Sequence, residues 1–233
     1  MGTGWSEDKG SLINEEERKV QKPQNNKDGE GEEAIHTEST ELPHNQEQIM
    51  QEADQSIDLA TNGGVFLNQK RKKYWVDDKY KNCFMIYASG LSITWGEDRN
   101  YWHWPIIQES SVVSVVAAEL LNVCWLEVHG RFNTVNLTPQ TLYEVLFVVM
   151  LKDPAYGWTV PVNLRLTLAD GTRKQHKENM MDKLRGRWIE IPVGEFITSP
   201  KNTGEMEISL YEYEAGIWKR GLVIKGIIIG AKS

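Results

Sequence analysis

Cysteine is almost missing from this 233-residue chain, with Cys83 and Cys124 the only two. Two thiols cannot build a disulfide framework, and these two lack the paired spacing of a metal site. Both sit in apolar, strand-like runs, so they read as buried thiols. Long apolar runs are also missing: no stretch approaches the roughly 18 residues of a membrane-spanning helix. The opening MGTGWSEDKGSLINEEERK has no continuous apolar core of the kind a secretory signal carries. The expectation is a cytoplasmic or nuclear protein without a membrane span. In such a compartment the sequon Asn136-Leu137-Thr138, followed by Pro139, is not presented for glycosylation. Met1-Gly2 with Ser6 fits the N-myristoylation pattern in form, but one acyl chain anchors weakly and no basic second signal follows.

Aromatic residues are missing from one part of the chain. Of 22 Phe, Trp and Tyr, only Trp5 falls in the first 60 residues. That segment holds 15 Asp and Glu against 5 Lys and Arg, a net of −10, whereas residues 61–233 carry a net of +3. A stretch so acidic and so poor in apolar bulk cannot offset its ordering entropy by burial. Residues 1–62 are therefore expected to be a disordered acidic tail, with one weakly amphipathic piece near Gln46–Leu59 and a joint at Asn62-Gly63-Gly64. Residues 63–233 form the folded domain. Its start carries Lys70-Arg71-Lys72-Lys73-Tyr74-Trp75, a basic cluster compatible with nuclear import, an RNA contact or simply a solvated charge run.

Helical periodicity is the third absence. From Cys83 onward the chain is a series of short β-runs: 83–87, 91–95, 101–104, 123–128, 143–151, 162–168, 187–193, 205–213 and 222–229. In one of these Val162, Leu164, Leu166 and Leu168 oppose Asn163, Arg165 and Thr167; in another Met206, Ile208 and Leu210 oppose Glu207, Ser209 and Tyr211. Each pattern puts one face in a core and one in water. A helical reading of Ser111–Leu121 is undercut by its four valines. Many short strands without βαβ alternation predict an all-β protein, an antiparallel sandwich or jelly roll.

What is present in abundance is tryptophan. Trp95, Trp102 and Trp104 lie within ten residues around the polar turn Gly96-Glu97-Asp98-Arg99-Asn100, predicting a hairpin with indoles on both arms. A flat indole beside carboxylates and amides suits a sugar, whose C–H face stacks on the ring while its hydroxyls bond to the rim. The plainer reading is that such rings cap a small core. A second cluster stands at the end of the run 205–213. On strand parity Glu212 shares the buried face of Met206, Ile208 and Leu210, where a lone carboxylate is expensive. It is expected at a strand end, a bulge or a ligand-binding mouth, near Trp218 and Lys219, or else paired with Lys219 or Arg220.

These residues resemble a known family, the plant phloem protein 2 lectins with the related Nictaba-type domain, and within it the A subgroup. The resemblance is carried by SITW at 92–95, YWHW at 101–104, NVCWLEVHGRF at 122–132, NLTP at 136–139, DPAYGW at 153–158, GEMEISLYE at 204–212 and GIWKRGLVIKG at 216–226. It implies a jelly-roll sandwich that binds N-acetylglucosamine oligomers (chitin oligosaccharides) and N-glycan cores or high-mannose glycans. It implies no catalysis and no cofactor, and a place in phloem sieve elements or companion cells, in recognition or defence. Trp95, Trp102, Glu205 and Glu212 match positions of that family's binding region; Trp104, Trp218 and Lys219 join the carbohydrate-binding set from local pattern alone. Residues 1–62 show neither an F-box nor a TIR-like region.

Two other functions compete. A glycosidase needs two carboxyl groups about 5–5.5 Å or 6.5–9.5 Å apart, and Glu205 and Glu212 on one regular strand are separated by roughly 20 Å. An RNA-binding or structural phloem protein, homodimeric or cross-linked through its thiols, has a weak electrostatic case in the +3 body.

Overall fold

A computed structural model describes residues 44–54 and 63–232. In chain order the strands are β1 (Val65–Leu67), β2 (Lys72–Val76), β3 (Asn82–Tyr87), β4 (Ser92–Ile93), β5 (Trp102–His103), β6 (Ile106–Gln108), β7 (Ser114–Val116), β8 (Ala118–Leu120), β9 (Leu126–Asn133), β10 (Leu142–Tyr156), β11 (Val162–Thr167), β12 (Arg173–Glu178), β13 (Trp188–Ile197), β14 (Glu205–Glu212) and β15 (Arg220–Ala231). One short helix, α1 (Gln46–Met50), precedes them.

The larger sheet runs β1-β2-β3-β15-β10-β13. The long β15 serves two neighbours on one side, β8 along Val223–Ile224 and β3 along Gly226–Ile229, and β5 extends the sheet beyond β8. The smaller sheet runs β12-β11-β14-β9-β4. All named strand pairs within these sheets are antiparallel, giving the expected all-β jelly-roll sandwich.

Alternation produces the core. Val145, Phe147 and Val149 of β10 and Ile224, Ile227 and Ile229 of β15 pack in one cluster with Val128 of β9, Leu164 and Leu166 of β11, and Ile208 and Leu210 of β14, all inaccessible to solvent. Each such side chain contributes about 1.5–3 kcal/mol of transfer free energy. A smaller cluster lies on the outer face of the larger sheet, where Val113 and Val115 of the β6–β7 hairpin pack with Phe66, Met85, Tyr87 and Val148.

The segment Ser111–Leu121 is extended, as its valines imply, and forms β7 and β8. Three strands had no readable apolar pattern of their own. The edge strand β12, RKQHKE, is polar on both faces, β2 opens on two lysines, and β6 is only three residues long.

The expected start of the folded domain at residue 63 is too late. Ile49 of α1 is 2% exposed within the main core, and Ala53 bridges to Leu67. Asn68, Gln69 and Lys70 all take left-handed backbone conformations (φ 54°, 58° and 61°), which cost each residue about 1–2 kcal/mol. Asp54 offsets this by accepting the Gln69 and Lys70 amides at 2.7 and 2.8 Å. The segment 44–54 is thus tied to the sandwich by a buried isoleucine and a carboxylate seated in a turn. The remaining tail calls, on residues 1–43 and 55–62 and including Gly2 and Asn62, lie outside the described residues. Among the described residues no helix is long and apolar enough to cross a membrane.

Candidate functional site

The tryptophan stretch folds as a compact loop between β4 and β5. Trp95 takes a left-handed conformation (φ 57°), and the Gly96 amide donates to the Ile93 carbonyl at 2.9 Å. The Asp98 carbonyl accepts the amides of Tyr101 and Trp102 at 3.0 and 2.9 Å. Two indoles fasten the loop from inside: Trp102 Nε1 donates to the Thr94 carbonyl at 3.2 Å, and Trp104 Nε1 to the Gly96 carbonyl at 2.7 Å.

The three rings therefore differ in role. Trp95 is 48% exposed, its ring centroid 5.4 Å from that of Tyr101. Trp102 is 1% exposed and belongs to the core, and Trp104 is half-buried against it. Indoles on both arms of an open hairpin, as expected from the sequence, are not observed; hydrogen bonding of their N–H groups to loop carbonyls turns two of them inward. Trp102 and Trp104 still help line a hollow of about 360 Å³, with Arg99, His103 and Leu121.

The two candidate glutamates lie at opposite ends of β14. Glu205 is exposed and faces Arg131 at 3.7 Å. Glu212 is 3% exposed and forms a buried ion pair with Lys219, itself inaccessible. Its Oε1 also accepts the Ala215 amide at 2.9 Å, and Lys219 Nζ donates to the Ile217 carbonyl at 2.8 Å. Lys219 and Val123 exchange backbone hydrogen bonds at 2.7 and 3.1 Å. Pairing with Lys219, one of the outcomes anticipated for Glu212, is what the fold adopts: the pair closes the loop between β14 and β15. That loop presents Trp218, 49% exposed. Seven strand positions separate Glu205 from Glu212, roughly 20 Å, so they do not share one groove.

The outer face of the smaller sheet supplies what the sequence reading passed over. The ring of Trp125, just ahead of β9, stacks on Tyr213, with centroids 4.4 Å apart and planes at 14°. Tyr213 stacks on Tyr211 at 5.5 Å, and the Arg165 guanidinium lies 5.1 Å over Tyr211. Trp125 remains 41% exposed. Its Nε1 donates to Glu127 Oε2 at 3.0 Å, and the same oxygen accepts the Thr94 hydroxyl at 2.9 Å. The Trp125 indole N–H, followed by the Thr94 hydroxyl and the nearby His129, holds the Glu127 carboxyl below the usual glutamate range against an opposing desolvation effect. Since the Thr94 amide also donates to the Glu127 carbonyl at 3.0 Å, the residue before Trp95 is fixed directly to the strand that carries Trp125.

Beyond Glu127 the same face continues as a charge network. His129 Nε2 lies 3.2 Å from Glu127 Oε1, while Nδ1 lies 3.1 Å from Ser209 Oγ and 3.5 Å from Glu207. Arg131 and Arg165 approach Glu207 at 3.7 and 3.8 Å. The signal for this face was in the sequence: Trp125, Glu127, His129 and Arg131 alternate with Leu126, Val128, Gly130 and Phe132. Among the described residues no group of three or more His, Cys, Asp and Glu side chains is placed to hold a metal ion.

A family model for phloem protein 2 matches residues 81–231. The chain belongs to that family. It is 46% identical over 200 residues to Protein PHLOEM PROTEIN 2-LIKE A1 of Arabidopsis thaliana, covering 82% of this chain and 81% of the relative, which places it with the A subgroup. It is 43% identical over 171 residues to a protein named Lectin from Luffa acutangula, covering 72% of this chain and 80% of that protein. Likeness to solved structures is distant: a Podospora anserina GH26-CBM35 β-(1,4)-mannanase aligns at TM-score 0.41 and 10% identity over 65% of this chain and 28% of its own. The phloem protein 2 match begins just before β3, so α1, β1 and β2 lie ahead of it and the whole of the site described above lies within it.

Proposed function

We propose that this phloem protein 2 family member is a non-enzymatic lectin. Its ligands are glycans containing N-acetylglucosamine: chitin oligosaccharides, and the cores or high-mannose arms of N-glycans. Membership of the family and similarity to the Luffa acutangula protein named Lectin support carbohydrate binding. The observation that carries the site is the fixing of Trp125. One ring face rests on Tyr213, the indole N–H is held by Glu127, and the ring is 41% exposed. A ring already immobilised loses little entropy when a pyranose stacks on it. Trp95, on the adjoining loop, offers a second exposed indole, and Glu127 stands between the two chain segments as an acceptor for sugar hydroxyls or an amide N–H.

The other residues matched from the family act at a different depth. Trp102 lies under the loop that presents Trp95 and borders the 360 Å³ hollow, which suits the methyl of an acetamido group. Glu212 and Lys219 hold the loop bearing Trp218 and Tyr213. Glu205 lies at the far end of β14 and takes no part in this groove. Catalysis finds little support here, since Glu127 and Glu207, which flank His129, are both engaged by it. A role in phloem recognition or defence, inside cells, follows the family name and the resemblance.

Calorimetric titration with N-acetylglucosamine, its trimer and its hexamer tests the reading. Affinity is expected to rise with length and to fall for Trp125→Ala and for Trp95→Ala. Full retention of trimer binding by both variants, or binding of RNA that chitin oligomers leave untouched, overturns it. Mass spectrometry of the hexamer after prolonged incubation is expected to find no shorter products.

A further inference from the structure

We propose that the outer face of the larger sheet is a second binding site, for a single-chain amphiphile with an anionic head group. The site is a trough of about 1140 Å³, somewhat above the usual range of about 300–1,000 Å³ for small-molecule pockets. Its floor is aliphatic and crosses three adjacent strands: Met85 of β3, Ile228 of β15 and Val148 of β10, with Ile228 paired to Met85 and Val148 to Gly226 in the strand register. Indoles line it on either side of that floor, Trp75 on β2 and Trp188 on β13, and Val65 of β1 and Gln46 and Met50 of α1 also contribute to the lining. From β2 to β13 is four strand spacings, about 19 Å. The strand-crossing course and the aliphatic floor suit a hydrocarbon chain. A hydroxyl-rich ligand is disfavoured there, because each hydroxyl would be desolvated without a partner.

One rim is charged. Glu109, which follows β6, is shared by two ammonium groups, Lys73 at 3.8 Å and Lys225 at 2.5 Å, and all three side chains are largely buried, between 11% and 19% exposed. Lys225 reaches this position because β15 shifts register against β10 between Val148 and Val149. Lys73 also lies 5.7 Å over the Phe66 ring, which fixes it. Two cations against one carboxylate leave a single positive charge in a partly desolvated setting, and an anionic head group neutralises it. Glu190, the other acid on the lining, is two strands from Lys225 and exposed to water, which screens it. The charge therefore places the head group beside Lys225 and the tail toward Trp188. Lys73 and Trp75 lie ahead of the residues matched by the family model, so the segment preceding the matched region supplies one wall of the trough. No residue of the trough belongs to the glycan site, and this proposal does not rest on the lectin reading.

The experiment is calorimetric titration of the full chain with oleate, lysophosphatidate and oleyl alcohol, each below its micellar concentration. Binding of oleate, of lysophosphatidate or of both, more tightly than oleyl alcohol, is expected; which of the two binds better identifies the head group as carboxylate or phosphate. Trp188→Ala, at a residue already 37% exposed, is expected to weaken the anionic ligands about tenfold or more while leaving chitin-trimer binding unchanged. Lys225→Gln is expected to bring the anionic ligands down to the level of oleyl alcohol, and Lys73→Gln provides the same test should that variant not fold. Absence of binding by both anions, equal binding of oleyl alcohol by the unmodified chain, or affinities indifferent to Trp188→Ala overturns the proposal.

Discussion

At the end of the sandwich that carries the proposed glycan site, the same residue types serve at two depths. In the exposed layer Trp95 and Trp125 present rings to solvent, and Glu127 accepts hydrogen bonds from side chains that solvent also reaches. In the layer beneath, Trp102 and Glu212 are 1% and 3% exposed, the indole bonded to the Thr94 carbonyl and the carboxylate paired with Lys219. The buried layer sets where the loops stand, and the exposed layer determines what they touch. A substitution that abolishes binding therefore says little until its effect on stability is known, and that separation can be tested from its largest effect to its smallest.

Lys219→Met leaves Glu212 buried without its cation, and urea denaturation is expected to register a loss of about 3–5 kcal/mol. The double variant Glu212→Leu/Lys219→Met is expected to regain most of that loss; failure to regain it would mean that the pair does more than close the loop. Trp102→Ala belongs to the same buried layer, with an expected cost of about 3–5 kcal/mol and reduced glycan binding as a consequence.

Trp125→Ala is the contrasting case. Trimer affinity is expected to fall about tenfold, with a stability change of about 1 kcal/mol or less. A large drop in melting temperature for this variant would erase the distinction between the two layers.

Acidification sharpens the comparison at Glu127. Its carboxyl titrates below the ordinary glutamate value, so its contribution is present above the unfolded-state pKa, about 4.3, and is lost as pH falls through the lower folded-state value. The Trp125 indole N–H resonance is expected to hold its position through the ordinary glutamate range and to shift only below it, followed by NMR. A shift centred at or above pH 4.3 would argue against the indole–carboxylate bond. The smallest effect is expected for Glu205→Gln, at an exposed pair with Arg131: under about 1 kcal/mol and no change in trimer affinity.

The fold was legible because its strands are long enough to alternate: 162–168 and 205–213 showed a core face and a solvent face, and they are neighbouring strands of the smaller sheet. Strands with both faces covered, such as β3 with six buried residues, were readable as apolar runs. The edge strand β12 and the lysine-led β2 were not, since neither has an apolar pattern of its own. Parity also put Glu212 on the inner face, but its partner was one of several open choices. Trp125 was passed over for a different reason: alternation puts it on the polar face with Glu127 and His129, but only the position of Tyr213 across the sheet makes it a fixed ring.

Composition, strand periodicity and the ordered series of motifs were enough to determine an antiparallel sandwich, its family and the stretches that carry its aromatic residues, because each of these depends on residues close together in the chain. Which indole faces water, which carboxylate meets a lysine and which lysines flank Glu109 were decided only in the tertiary structure. Those outcomes depend on hydrogen bonds and ring contacts between residues distant in sequence: Thr94 with Glu127, Trp125 with Tyr213, Lys225 with Glu109. Strand register, not local pattern, brings those partners together.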